Sequence, residues 1–298
     1  MPAEGRVAIV GAAGFLGRSL VEALRRSATP HSAYTRSVPF LGPDGVAAPG
    51  LASAHTVYWL ATQINPQIAE QQPSKVAEDL AVFEGFLHAV RGLLAPPTVV
   101  LLSSGGTVYD PQTDPPYAET APTRPLSAYG RAKLDLEQLL AARATGRFVT
   151  LRVSNAYGPG QPVASGQGVI AHWLRAARRG EDVRLFGDPD TTRDYVYVDD
   201  IAGALRLLAT HDGPLPPVLN IGSGRPTTLR ELADTVLAVV DDPALRLAVE
   251  QRRSFDVPRT WLDVSLAASV LGWTPQTSLA DGITAAWAAV RRLGDPTA

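Results

Sequence analysis

Arg6-Val-Ala-Ile-Val10-Gly11-Ala-Ala-Gly14-Phe-Leu-Gly17 runs from a short apolar stretch into a glycine-rich turn. Arg6–Val10 has the unalternating character of a strand buried on both faces. Beyond the turn, Phe15, Leu16, Leu20, Val21 and Leu24 recur at helical spacing. Glycines at such a junction let the chain turn tightly and let backbone amides approach a pyrophosphate, which the positive end of the helix attracts. The spacing is G-x-x-G-x-x-G. Its place at the first strand–helix junction points to a dinucleotide site over Gly11, Gly14, Phe15, Leu16 and Gly17.

The same alternation continues outward. Strand-like runs at His31–Arg36, Thr56–Ala61, Thr98–Ser103 and Phe148–Val153 are separated by helix-period stretches, among them Ser74–Leu94 and Ala128–Ala144. Buried strands alternating with helices predict an α/β fold, a doubly wound parallel sheet covered on both faces. Beyond Asn155 the character changes: Gly158, Pro159, Gly160, Pro162, Gly166 and Gly168 punctuate the chain. A helix is expected at Val169–Arg179, then short strands at Val183–Phe186 and Val218–Ile221. Further helices are expected near Ile201–Ala209, Leu229–Val240 and Leu279–Arg292, and Asp188–Arg193 and Asp241–Pro243 read as loops.

Composition narrows the class of function. At 298 residues, with 45% hydrophobic and 19% charged residues, the chain can bury a large core. A formal charge of −2 argues against general affinity for nucleic acid or for an anionic membrane, and no apolar run is long enough for a membrane span. There are no cysteines, and His31, His55, His88, His172 and His211 are scattered without metal-ligand spacing, so no metal is expected. A cytoplasmic enzyme is the expectation.

Of the 27 basic residues, Lys75 and Lys133 are the only lysines and the other 25 are arginine. Lys133 closes Tyr129-Gly-Arg-Ala-Lys133 on a predicted helix. Positions four apart share a face, so phenol and ammonium can meet in one site. Lysine brings a compact charge where arginine brings a wide planar fork. A cation held beside a phenol stabilises its ionised form, which suits the pair to proton transfer.

With the glycine loop and Tyr-x-x-x-Lys in order, the chain resembles the extended short-chain dehydrogenase/reductases, specifically their nucleotide-sugar epimerase/dehydratase/ketoreductase branch. Four further stretches carry the resemblance nearly end to end. Leu151-Arg-Val-Ser-Asn155-Ala-Tyr-Gly-Pro-Gly-Gln161 looks like that family's segment after the sixth strand. Gly187 with Arg193-Asp-Tyr-Val-Tyr-Val-Asp-Asp200 looks like its phosphate-binding stretch. Asn220-Ile-Gly-Ser-Gly224, and Arg253-Ser-Phe-Asp256-Val-Pro258 with Leu271-Gly-Trp273, match its C-terminal signatures.

The resemblance implies a Rossmann dinucleotide-binding domain over residues 1–155, with returning segments at about 195–222. A smaller mixed α/β domain over 156–194 and 223–298 would bind a nucleotide-diphosphate sugar. It gives Tyr129 the proton transfer and Lys133 the support of that phenol and of the nicotinamide ribose. Leu60, Ala61 and Thr62, at the fourth strand's end, and Ser103 would lie against the cofactor. Asn155 and Val169 would touch the sugar nucleotide, Arg193 and Arg253 its diphosphate, and Asp256 its ribose. Two arginines suit a diphosphate on physical grounds as well.

One position departs from the family. Its usual serine or threonine beside the reacting oxygen aligns with Gly105 in Ser103-Ser-Gly105-Gly-Thr107-Val-Tyr109. If the segment is extended, residues 105 and 107 face the same side, so Thr107 can present a hydroxyl there, with Ser104 the second candidate. Gly106 and Thr107 also stand where sugar dehydratases of this family carry an acidic pair, which argues against dehydration. The second strand ends His31-Ser-Ala-Tyr-Thr35-Arg36 with no acid until Asp44. Arg36, aided by Thr35, suits a 2′-phosphate, which favours NADP(H) over NAD(H) and hence net reduction. The expected activity is reduction at the 4-carbon of a nucleotide-activated hexose. A 4-epimerase with tightly bound NAD is the alternative, and a non-catalytic dinucleotide-binding protein is a remoter one. The resemblance also implies a homodimer packed through the helices near 74–94 and 128–144.

Overall fold

The computed structural model describes residues 7–163, 168–250 and 257–292. The first half comprises β1 (Val7–Val10), α1 (Phe15–Arg26), β2 (His31–Tyr34), α2 (Pro49–Ala52), β3 (Thr56–Trp59), α3 (Pro66–Gln71), α4 (Pro73–Arg91) and β4 (Thr98–Ser104). Then come α5 (Ala128–Arg143), β5 (Phe148–Val153), β6 (Asn155–Tyr157), α6 (Val169–Arg178), β7 (Val183–Phe186), β8 (Thr192–Arg193) and β9 (Tyr195–Tyr197). The chain continues through α7 (Val198–Ala209), β10 (Val218–Ile221), β11 (Thr227–Thr228), α8 (Leu229–Val240), β12 (Leu247–Glu250), α9 (Ser265–Leu271) and α10 (Leu279–Arg292).

Six strands form the central sheet in the order β2-β1-β3-β4-β5-β10, every pair parallel. The chain leaves β1 for β2 in one direction and then crosses back to β3. The switch point therefore lies between β1 and β3, where an open α/β sheet offers its ligand crevice. This is the doubly wound, Rossmann-like sheet expected, with one correction. The strand Thr56–Trp59 is the third in the chain, not the fourth, and Phe148–Val153 is the fifth, not the sixth. Between β2 and β3, Pro39, Pro43 and Pro49 lack the amide donors a strand needs. Only an isolated Leu41–Ala47 bridge and the short α2 form there.

Alternate residues of each strand feed opposite faces. Val7 and Ile9 join Leu20 and Leu24 of α1 and Ile201, Leu205 and Leu208 of α7 on one side. Ala8 and Val10 join Phe83, Phe86 and Leu87 of α4 and Leu136 and Leu140 of α5 on the other. Trp59 packs between Phe83 and Phe86, with ring centroids 5.0 and 4.7 Å away. A third apolar cluster, from α6, β7, α8 and α10, includes Trp173, Leu185, Val236 and Ile283. Ala267, Leu271 and Trp273, in and just after α9, pack with the first cluster instead. No helix among the described residues is long and apolar enough to cross a membrane.

The stretch 192–200 ties these layers together. The Asp194 carboxylate, 1% exposed, accepts hydrogen bonds from the hydroxyls of Ser154 and Ser223 and from the amides of Ser223, Gly224 and Leu262. Burial pushes this carboxyl up, and the donors around it pull the other way. Helix α7 starts at Val198, three residues before the expected Ile201, and its Asp199 accepts from Ser19 of α1 at 2.7 Å. Thr192–Arg193, read as loop, is a two-residue strand that pairs with Thr227–Thr228.

Candidate active site

The glycine loop sits at the switch point, and Gly11 and Gly17 each answer a steric demand. Gly11 has φ +97°, and a Cβ there would lie 2.6 Å from the amide nitrogen of Ala61. A Cβ on Gly17 would collide with the Gly11 carbonyl oxygen, so this glycine sets how closely α1 approaches β1. Gly14 is the N-cap of α1 and brings no side chain to it, and the first turn holds no acid. A backbone cradle of this kind, with the positive end of a 12-residue helix behind it, fits a dinucleotide pyrophosphate. The residues that line it are Gly11, Gly14, Phe15, Leu16 and Gly17. Arg18, next in sequence, donates to the carbonyls of Ala13 (2.6 Å) and Gly160 (2.9 Å), joining the loop to the segment after β6.

Either side of the cradle lie the other residues expected at the cofactor. The amides of Gly11 and Ala12 both donate to the Tyr34 carbonyl, which places Thr35 and Arg36 beside the loop. Thr35 engages the Ser37 hydroxyl and the Val38 amide, while Arg36 is exposed and forms no ion pair among the described residues. On the other side, the Leu60 amide donates to the Val10 carbonyl, so Leu60, Ala61 and Thr62 leave β3 level with Gly11. The Thr62 hydroxyl is already committed, donating at 2.7 Å to Asp79 of α4, which also holds the Gln63 amide.

Helix α5 presents the tyrosine–lysine pair. Its N-terminus is fixed twice: the Ser127 hydroxyl accepts from the Gly130 amide at 3.0 Å, and Glu70 of α3 accepts from the Ala128 amide at 2.7 Å. The Tyr129 ring packs against the small cluster of Ile64, Ala69 and Ala132. Lys133 is only 6% exposed, and its Nζ lies 5.6 Å from the centroid of that ring. A cation so placed faces the π system and stays near the phenol. Gly130 allows the docking: a Cβ there would be 2.5 Å from the Thr107 carbonyl oxygen. Helix α5 thus rests directly on the loop that carries the candidate hydroxyls.

That loop is not extended. The Thr107 amide donates to the Ser104 carbonyl at 3.3 Å, closing a turn, so strand alternation does not set which way Thr107 faces. Its Oγ1 is nonetheless buried and has no hydrogen-bond partner among the described residues. A buried hydroxyl without a partner costs free energy unless a water or a ligand meets it. Ser103 turns away from this spot: its hydroxyl donates to Glu137, two turns along α5 from Tyr129. Ser104 is half-buried. At Gly105, where the family's hydroxyl is missing, a Cβ would lie 2.6 Å from Leu262 Cδ1 and 3.1 Å from the Arg152 carbonyl oxygen.

Two of the residues expected at the sugar nucleotide, Asn155 and Arg193, lie beside Asp194. The Asn155 amide and Nδ2 both donate to the Asp194 carbonyl, at 3.0 and 2.9 Å, and leave its Oδ1 unengaged. Asn155 Nδ2 stands 4.0 Å from where a Cβ on Gly106 would be, so this side chain borders the 103–107 turn. Arg193 donates to the carbonyls of Thr192 (2.9 Å) and Val257 (2.7 Å). Arg253 and Asp256 lie outside the described residues, as does Gly166. Val169 opens α6 behind Gly168, a left-handed N-cap with φ +77° and no side chain to block the helix end.

Several residues of this architecture escaped the sequence reading. Glu137 and Arg152, each 7% exposed at the side chain, form a buried ion pair at 2.7 Å beneath α5. The Arg152 guanidinium lies 4.8 Å from the Tyr109 ring centroid, and Tyr109 donates to Asn220 at 2.6 Å. Burial pushes Glu119 up although it accepts from the Asn220 amide. The one legible signal was Glu137 itself, an acid four residues after Lys133 between Leu136 and Leu140 on an otherwise apolar face. Asp79 sits likewise among the buried positions of α4. Nothing local marks Leu262.

Comparison with known proteins places this arrangement. Residues 7–222 match the model of the NAD dependent epimerase/dehydratase family. A dTDP-6-deoxy-L-talose 4-dehydrogenase (NAD(P)(+)) from Kitasatospora kifunensis is 31% identical over 96% of this chain and 96% of its own length. A dTDP-4-dehydro-6-deoxyglucose reductase from Escherichia coli is 31% identical over 62% of this chain and 58% of that protein. The crystal structure of the UDP-glucose 4-epimerase of Thermotoga maritima with UDP-glucose superposes with a TM-score of 0.82, at 28% identity, covering 96% of this chain and 99% of that one. With its glycine cradle at the switch point and its Tyr129–Lys133 helix docked on the 103–107 turn, the chain belongs to the NAD-dependent epimerase/dehydratase family, the nucleotide-sugar enzymes among the extended short-chain dehydrogenase/reductases.

Proposed function

We propose that this enzyme reduces the 4-keto group of a nucleotide-activated hexose with exchangeable NADPH. The observation that carries the chemistry is the buried Lys133, its Nζ 5.6 Å from the Tyr129 ring centroid, on a helix docked against the Thr107 turn. The nicotinamide supplies the hydride when bound. Tyr129 gives its phenolic proton to the 4-oxygen, Lys133 stabilises the phenolate left behind, and Thr107 donates a hydrogen bond to the same oxygen through its unpartnered Oγ1. Asn155, Val169 and Arg193, with Arg253 and Asp256, hold the sugar nucleotide. Residues 1–155 with about 195–222 serve the cofactor, and 156–194 with 223–298 serve the substrate. Arg36, exposed beside the cradle and free of ion pairs among the described residues, takes the 2′-phosphate of NADP(H) with help from Thr35.

A 4-epimerase is the second reading, favoured by the likeness to the Thermotoga maritima epimerase. The two separate on one preparation. The reductase should purify without NAD and oxidise NADPH when given dTDP-4-dehydro-6-deoxyglucose. An epimerase should release NAD on denaturation and convert UDP-glucose without added cofactor. NAD recovered in one-to-one amount, with no NADPH oxidation, would sink the reductase; if neither NAD nor NADPH binds, both readings fail. The homodimer would pack α4 and α5, where Ala81, Val82 and Gly85 are exposed; a single-chain mass in sedimentation equilibrium would exclude it.

A further inference from the structure

We infer that Leu262 decides which hydroxyl serves the reacting oxygen: by filling the space beside residue 105 it requires glycine there and leaves the task to Thr107. The inference rests on the role of Thr107 proposed above. A Cβ on Gly105 would stand 2.6 Å from one Leu262 methyl, closer than side-chain carbons approach one another, and 3.1 Å from the other, a tight contact. Nor is Leu262 free to withdraw. It is 1% exposed, packed with Val108, Tyr109 and Tyr117, and its amide donates to the Asp194 carboxylate at 3.3 Å. The residues on either side are pinned as well: the Trp261 carbonyl accepts from the Tyr117 amide at 3.0 Å, and the Asp263 amide donates to the Tyr117 carbonyl at 2.9 Å.

The backbone on the other side is equally fixed. The Gly105 amide donates to the Val153 carbonyl at 2.8 Å, and the Arg152 carbonyl oxygen stands 3.1 Å from the same Cβ position. A serine or threonine at 105 therefore meets a wall of leucine and main chain. Two residues on, Thr107 keeps a buried Oγ1 with no partner among the described residues. Side-chain volume and hydroxyl have exchanged places: Leu262 supplies the bulk that residue 105 lacks, and Thr107 the oxygen. Position 262 thereby determines the composition of the reacting centre without contributing a polar atom to it.

The test is a double-mutant cycle with a rescue arm, on the full chain. Gly105→Ser and Leu262→Ala should each lower the melting temperature. Combined, they should lower it by less than the sum of the two, because the new side chain enters the space the leucine vacates. In the Thr107→Val background, Gly105→Ser with Leu262→Ala should raise NADPH turnover of dTDP-4-dehydro-6-deoxyglucose at least fivefold, whereas Leu262→Ala alone should not. Additive melting shifts would overturn the size exchange. Non-additive shifts without rescue would overturn the control over the hydroxyl. Full turnover in Thr107→Val alone would instead refute the role of Thr107, while the melting cycle still judges the exchange.

Discussion

Two glycine-bearing loops flank the site and obey different logic. In the loop 11–17 each glycine stands where the family expects one, and a nearby backbone atom explains it: Ala61 for Gly11, the Gly11 carbonyl for Gly17. In the turn 103–107 a glycine stands where a hydroxyl is expected, and its cause lies on Leu262, far along the chain. The first loop is a solution to a local problem, a backbone that must turn and stay close to phosphate. The second is a solution to a packing problem shared between distant segments. Sequence motifs record the former directly and the latter only as an anomaly.

The largest expected effect sharpens the second loop. Tyr129→Phe removes the proposed proton donor, and turnover should fall about 10²–10⁴-fold, the usual worth of a general acid. Melting should be unchanged, and a fall below tenfold in steady-state assays would contradict the assignment. Next comes the support beneath the turn. Glu137→Ala leaves Arg152 buried without its counter-charge and Ser103 without its acceptor. The expected loss is about 3–5 kcal/mol of folding stability, read by denaturant unfolding. A loss below 1 kcal/mol would show that the pair is not held as described.

The first loop is probed more gently. Gly11→Ala places a Cβ against the Ala61 backbone at a positive φ, and overpacking of this kind costs about 1–3 kcal/mol. Dinucleotide affinity should fall with it, since the cradle can only open. Unaltered melting and binding would remove the steric argument for that glycine. Smallest is Arg36→Ala, which should weaken NADPH binding about tenfold, near 1.4 kcal/mol, and leave NADH within twofold. Isothermal titration with both cofactors reads the difference. Equal weakening of the two would detach Arg36 from the 2′-phosphate.

How much of this was legible depends on what sets each feature. Strands β5, β7 and β10 and helices α8 and α10 appear at the expected residues, because each is a self-contained apolar pattern with clear punctuation. The short strands β8 and β11 exist only because Thr192–Arg193 meets Thr227–Thr228, and no local signal announces such a pair. The expected strand numbering failed between β2 and β3, where three prolines replaced a strand with a loop. In the site, the glycine cradle and the Tyr129–Lys133 spacing were readable since both are periodic and local. The Glu137–Arg152 pair was not, because a buried charge declares itself only through a partner on another element. Thr107 was singled out on a false premise: the segment turns where extension was assumed, and its hydroxyl is buried and unpartnered among the described residues all the same.

The central claim is that Thr107 supplies the hydroxyl that Gly105 cannot. Its most direct test compares Thr107→Ser with Thr107→Val at saturating NADPH, following reduction of dTDP-4-dehydro-6-deoxyglucose. Serine keeps the hydroxyl and should hold turnover within about threefold of the parent enzyme; valine keeps the shape, loses the donor, and should cut turnover at least about tenfold. Equal turnover in the two variants, whether both high or both low, would contradict it.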